Sequence, residues 1–287
     1  MADTETTRAG VAGVTGDRLG IALGVVVALA FAGVLAGGYT AGREKLVGIV
    51  LFAFLAMAAG VAIQQRTRTA TGLSRVWIHG LASGAMLASA TALLAPKAIT
   101  QHPEIGGFAI AFGYLLGYAG HELGHVVSHW DLPLNVTVGE LTLHALLAGA
   151  VMGVVYGTLP SLTALFGYGI VAHKLPAGFS GAETLDRDEL SVFVMVLPAA
   201  AVGFAAIPLS LATPALGTTS KAVFYGVSTG LFAHVALDMI PECGGGGPSH
   251  GYGDLDCGPS VDRQRYSAVA STLVGALVLF ALWVAVA

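Results

Sequence analysis

The sequence predicts an all-α polytopic membrane protein with nine transmembrane helices. Three observations carry this. Hydrophobic residues make up 55% of the 287 positions and charged residues only 10%, against about 25% charged in an ordinary soluble domain; mean hydropathy is +0.77. The charges cluster between apolar runs near the ~20 residues that a helix needs to cross a bilayer. These runs lack the alternating polarity of barrel strands, and helices are the other way to satisfy backbone groups in lipid. The 40 glycines suit close helix approach in membranes. The net charge of −4 gives no reason to expect a nucleic-acid partner.

The elements follow in order. Residues 1–18 are a polar N-terminal tail without the basic flank of a signal peptide, so the first apolar run, 19–42, is expected to be a retained span. Residues 46–65 are the second span. Residues 76–96 are the third, opened by Arg75 and closed by Pro96-Lys97. The fourth is 106–128, apolar until His121 and Glu122. Residues 141–173 are a charge-free run of 33, too long for one crossing. Gly157-Thr158-Leu159-Pro160 is a good turn and divides it into a fifth and a sixth helix. Residues 190–212, 221–240 and 266–287 complete the count. Between the last two lies a Gly-rich loop, 241–265, with Cys243, His250, Asp254, Asp256 and Cys257. It reads as a weak metal-collecting loop or as a plain linker, and two cysteines do not make a disulfide framework.

Positive residues favour the cytoplasmic side. With the N-terminus inside, that side holds Arg8, Arg18, Arg66, Arg68, Arg75, Arg187, Arg263 and Arg265, against Arg43, Lys45, Lys97 and Lys221 outside. The expected topology in the cell membrane is therefore multi-pass, N-terminus cytoplasmic and C-terminus outside.

Two internal resemblances suggest pseudo-symmetric repeats. The third helix, GLASGAMLASATALLAP, and the eighth, GVSTGLFAHVALDMIP, both open on a Gly-x-x-x-Gly pair and end at a proline. LHALLAG (143–149) and AHKLPAG (172–178) share His-x-Leu-x-Ala-Gly, twenty-nine residues apart. Transporters built from repeats bind their substrate at the repeat interface. Ionisable residues inside spans are functional candidates, and here they are His144, His173, Lys174 and the pair His234/Asp238. Neutral imidazole is a common metal ligand. If His144 and His173 hold one ion at about 2.0–2.1 Å each, their rings must come within about 5 Å. His234 and Asp238, spaced i, i+4, share one helix face. Pro176 removes a backbone donor within the sixth helix.

Taken together, the third helix with its approach to Pro96, the ending VALDMIPE, and the His-x-x-x-x-Gly and His-Lys-x-Pro segments resemble the ZIP (Zrt/Irt-like) divalent metal transporters. The resemblance covers residues 45 to 287, a transporter domain over 43–287, and makes 19–42 an extra N-terminal helix before the family's eight. It implies transport of a divalent cation, zinc or similar, through a site between residues 141–158 and 160–182. Of the family's fourth-helix pattern, His144 and Gly149 match, while Ala145 and Ala148 replace the usual Asn and acid. Of the fifth-helix pattern, His173, Pro176 and Gly178 match. Lys174 and Ala177 fit a branch with His-Lys-x-Pro-Ala. The metal would be cargo, with no prosthetic group and no enzymatic activity. The implied partners are the metal and the lipid bilayer, and a homodimer is left open. A relative with altered substrate and a non-transporting homologue are the alternatives that the missing carboxylates raise.

HELGH (121–125) is a competing signal. It is the zincin pattern, with His121 and His125 on one helix face and Glu122 as general base, and it would define an intramembrane zinc metalloprotease with a later Asp, here Asp238, as third ligand. On the transporter reading His121, Glu122, His125 and His129 form a cytoplasmic exit or sensing cluster.

Overall fold

The computed structural model describes residues 3–67, 72–128, 136–240, 242–243, 254–255 and 261–286. Almost all of them are helical. The helices are α1 (Asp3–Thr40), α2 (Glu44–Thr67), α3 (Gly72–Ala88), α4 (Ala95–Gln101), α5 (Pro103–Ser128), α6 (Val136–Thr158), α7 (Ala164–Val171), α8 (Lys174–Arg187), α9 (Val196–Ala212), α10 (Thr218–Asp238) and α11 (Val261–Val286). Among the described residues the extended pairing is a two-residue parallel bridge, Glu242–Cys243 with Asp254–Leu255, inside the expected loop.

Among the described residues six segments are long and apolar enough to cross a membrane: Gly20–Thr40, Glu44–Arg66, Arg75–Gln101, Thr137–Thr158, Val192–Ala212 and Asp262–Ala285. The protein is thus a multi-pass helical membrane protein. The other three expected spans correspond to α5, to α7 with α8, and to α10. Of these, α7 and α8 are 8 and 14 residues long, each short of a crossing by itself.

Several boundaries differ from the sequence expectation, among them α6, which opens at Val136 and not at 141. The first helix runs back through the polar segment to Asp3. The last begins at Val261, inside the stretch assigned to the loop. The third does not end at Pro96. It passes through a π-helical turn, Ser89–Leu94, and continues as α4 to Gln101. A proline cannot donate to the carbonyl four residues back and its ring clashes there. The wider turn, with Ala95 N–H donating to Ala90 O, absorbs the misfit without breaking the helix. The chain reverses at His102, whose backbone is extended.

Four helix pairs make the closest contacts: α2 with α8, α3 with α11, α5 with α10, and α6 with α9. Each pair runs parallel. Glycines set the approach. A side chain at Gly178 would strike the Met57 backbone, and one at Gly60 the Leu175 carbonyl. Gly84 faces the Thr272 backbone and Gly275 that of Leu81. Gly113 and Gly230 face Val227 and Ile110, and Gly149 and Gly153 face Val202 and Ala206. In lipid, where apolar burial does not drive helices together, this close van der Waals packing is a main source of association.

These pairs form two bundles. One contains α1, α2, α6, α8 and α9, and the other α3, α4, α5, α10 and α11. The short α7 sits at the seam, touching α2, α3 and the π turn. Thr158 and Tyr225 hydroxyls, 2.9 Å apart, also join the bundles. The extra helix α1 docks on α2 and α9 through Phe31, stacked on Phe54 at 4.8 Å and edge-on to Phe204 at 6.2 Å. Its other faces, with Val25, Val26 and Leu29, remain exposed, as suits a lipid-facing helix.

Candidate metal centre

The run 141–173 breaks where the sequence predicts. Helix α6 stops at Thr158 and α7 starts at Ala164. Lys45 Nζ donates to the Pro160 and Leu162 carbonyls of the turn, at 2.8 and 2.9 Å. A second break falls at Ala172-His173, where α7 ends and α8 begins. Pro176 lies in the first turn of α8, where a missing N–H costs little because those donors lack helical acceptors.

This break swings His173 toward α6. The His173 Nε2 stands 3.3 Å from the His144 Nε2, with ring centroids 5.4 Å apart and the planes at 84°. His173 is buried and His144 half-buried. The His173 Nδ1–H donates to the Ile170 carbonyl at 2.6 Å, which fixes the ring and leaves Nε2 with its lone pair facing His144. A backbone carbonyl on the far ring nitrogen is the usual support of a ligating histidine. Two nitrogens on a tetrahedral ion at about 2.0–2.1 Å stand about 3.3–3.4 Å apart. The observed spacing suits a shared ion, and in the absence of one it is a long N–H···N hydrogen bond from the His144 ring to the His173 Nε2 lone pair.

Lys174 is 1% exposed, and its Nζ has no hydrogen-bond partner among the described residues. It lies close enough to act electrostatically on both imidazoles. Ala148 is half-buried and Ala177 buried, so no carboxylate stands at either position. Among the described residues no group of three or more His, Cys, Asp or Glu side chains is placed to hold a metal ion. The centre thus offers two nitrogen ligands and an amine, and water or an accompanying anion must complete any coordination shell.

An unpartnered buried donor costs about 1–3 kcal/mol. Lys174→Met keeps the stem and removes the amine. It should raise thermal stability and, by removing a positive charge beside the two imidazoles, tighten divalent-cation binding; calorimetric titration of the purified variant checks this. Weaker binding would identify the amine as a ligand.

The other sequence candidates lie elsewhere. His234 is buried and packs on α5, edge-on to Tyr114 at 5.3 Å and against Gly117. Asp238, half-buried, ends the same helix. Glu122 is exposed on the last turns of α5. The side chains of His121 and His125, and all of His129, His250, Asp256 and Cys257, lie outside the described residues. Helices α5 and α10 run parallel with Gly106 beside Gly226, Ile110 beside Gly230 and Gly117 beside His234. One further turn brings backbone positions 121 and 238 level.

Sequence reasoning missed His79, which is 5% exposed. Its Nδ1–H donates to the Arg75 carbonyl at 3.0 Å and its Nε2 lies 3.4 Å from the Ser180 hydroxyl. The signal was present, since His79 is an ionisable residue inside an apolar span.

The fold and this centre define a class: a multi-pass helical membrane protein with a histidine pair between two of its helices. No protein-family profile matches the chain, and no curated protein matches it with significant similarity.

Proposed function

We propose that this chain is a ZIP-like transporter of divalent cations, zinc or a similar ion, which pass between α6 and α8 in contact with His144 and His173. The observation that carries the reading is the 3.3 Å separation of the two Nε2 atoms, on rings presented by the two helices that share His-x-Leu-x-Ala-Gly. Lys174 and Pro176 stand beside the pair on this pathway, whereas His234 and Asp238 lie on α10, which packs against α5 in the other bundle. Two nitrogens without a carboxylate make a weak site, which releases its ion as readily as it binds it.

The reading includes nine crossings, N-terminus in the cytoplasm and C-terminus outside. The parallel pairs support it. Helices α6 and α9 can run parallel only if the segment between them, α7 with α8, returns across the bilayer. The parallel α5 and α10 require an odd number of crossings between them, which α6, α7–α8 and α9 provide. Helix α5 also exposes Phe108, Phe112, Leu115 and Leu116, as a lipid-facing span would.

A second reading, an intramembrane zinc protease, rests on the register that brings the HELGH turn of α5 level with Asp238. One experiment separates the two. Purified full-length protein in vesicles loaded with a zinc-sensitive dye should admit Zn²⁺, and Glu122→Gln should keep most of that flux. Loss of flux confined to Glu122→Gln, or Glu122-dependent cleavage of a membrane substrate, would favour the protease. Absence of flux for every divalent ion tested, in a folded protein, would mark a non-transporting homologue.

A further inference from the structure

We infer that His79, Ser180 and Glu183 form a second station for a divalent cation, at the seam between the two bundles, and that Arg75 occupies its carboxylate when no cation is bound. This rests on the transport reading for its role in a pathway, although cation binding at the station can be measured without it.

Ser180 lies on α8, seven residues beyond His173 at the N-cap of that helix. Seven residues are two helical turns, about 10 Å along the axis and nearly the same face. Glu183 follows one turn later, at the end of the helix that carries Arg187. The station thus stands between the histidine pair and the membrane face that the basic residues mark as cytoplasmic.

Its donors differ from those of the first centre in the respect that matters. His79 is oriented as His173 is, with Nδ1–H given to a backbone carbonyl and Nε2 turned to the site, here toward Ser180. Glu183 shares a face of α8 with Ser180, is paired with Arg75 one turn before His79 on α3, and supplies the negative charge that the His144–His173 pair lacks. Imidazole and carboxylate from two helices are donors for zinc or a similar borderline cation, with the Ser180 hydroxyl beside them and water to fill the remaining positions.

Arg75 behaves as a stand-in cation. One terminal nitrogen lies 2.6 Å from Glu183 Oε1 and the guanidinium rests over the Phe179 ring at 5.8 Å. Its Nε is buried with no hydrogen-bond partner. A guanidinium in a dedicated structural bridge uses its fork of donors, whereas this one reaches Glu183 with one donor satisfied by it and another orphaned. Arg75 is also 35% exposed, so it has a route to the interface when an arriving cation takes the carboxylate.

The test is Co²⁺ titration of the purified full-length protein, read by visible absorption and by stoichiometry. Two ions per chain are expected. His144→Ala/His173→Ala should leave one, with the spectrum of the second station. His79→Ala and Glu183→Gln should each remove that one and spare the other. Arg75→Met should tighten the second station by about tenfold or more, because it removes a competitor. Arg75→Met/Glu183→Gln, which removes both partners of the ion pair, covers the case in which Glu183→Gln alone does not fold. Second-station binding that survives loss of the histidine pair keeps this inference even if the transport reading fails. An unchanged stoichiometry in both Glu183→Gln variants would overturn it. So would an Arg75→Met protein that loses thermal stability with no change in Co²⁺ affinity, the signature of a purely structural bridge.

Discussion

His144→Ala and His173→Ala should each abolish divalent-cation flux in reconstituted vesicles while leaving the protein folded. On the proposed reading both rings, with Nε2 atoms 3.3 Å apart, are ligands of one ion, and among the described residues no third His, Cys, Asp or Glu joins them in a metal-holding group. Loss of a partner that merely supports a ligand costs about 10–100-fold in metal affinity; loss of one of two protein ligands should exceed that. The fold should tolerate the change. His144 is only half-buried, and truncating either ring leaves the α2–α8 and α6–α9 contacts intact. Flux and thermal stability measured on the same preparations separate the two effects. Variants that keep wild-type flux would show the ring pair to be an ordinary packing contact.

Gly178→Leu should unfold or severely destabilise the protein, by about 3 kcal/mol or more. The Gly178 Cα faces the Met57 backbone, where an added Cβ would lie 3.0 Å from the Met57 Cα and closer still to its carbonyl oxygen. Backbone on both sides leaves nothing flexible to yield. Displacing α8 from α2 would also move His173, which caps the start of α8, away from His144. Metal binding should therefore fall together with the melting temperature. Gly33→Leu is the control, because nothing lies within 4 Å of that position, so it should be close to neutral. Similar melting curves for the two variants would refute the view that glycine approach holds the pairs together.

Several features were legible in the chain because they depend on local composition. The turn at Gly157–Pro160 and the pairing of LHALLAG with AHKLPAG were readable for that reason, and the two histidines do meet. Pro96 misled, since a proline stops most helices but a π turn can carry one. His234 and Asp238 were picked by their i, i+4 spacing, which says which face they share but not which neighbour that face meets; the neighbour of His234 is α5. His79 was overlooked because its partners, Arg75 aside, come from a helix about a hundred residues away.

By itself, the sequence determined that this is a helical membrane protein, where its main apolar segments run, and that two matched segments carry histidines. Hydropathy and turn chemistry act over about 20 residues, so they can be read in order along the chain. The tertiary structure alone decided that the close pairs are parallel, that two bundles meet at α7, and that His79, Ser180 and Glu183 gather on their seam. Those are contacts between distant segments, set by which glycine faces which backbone, and no local pattern encodes the identity of the partner.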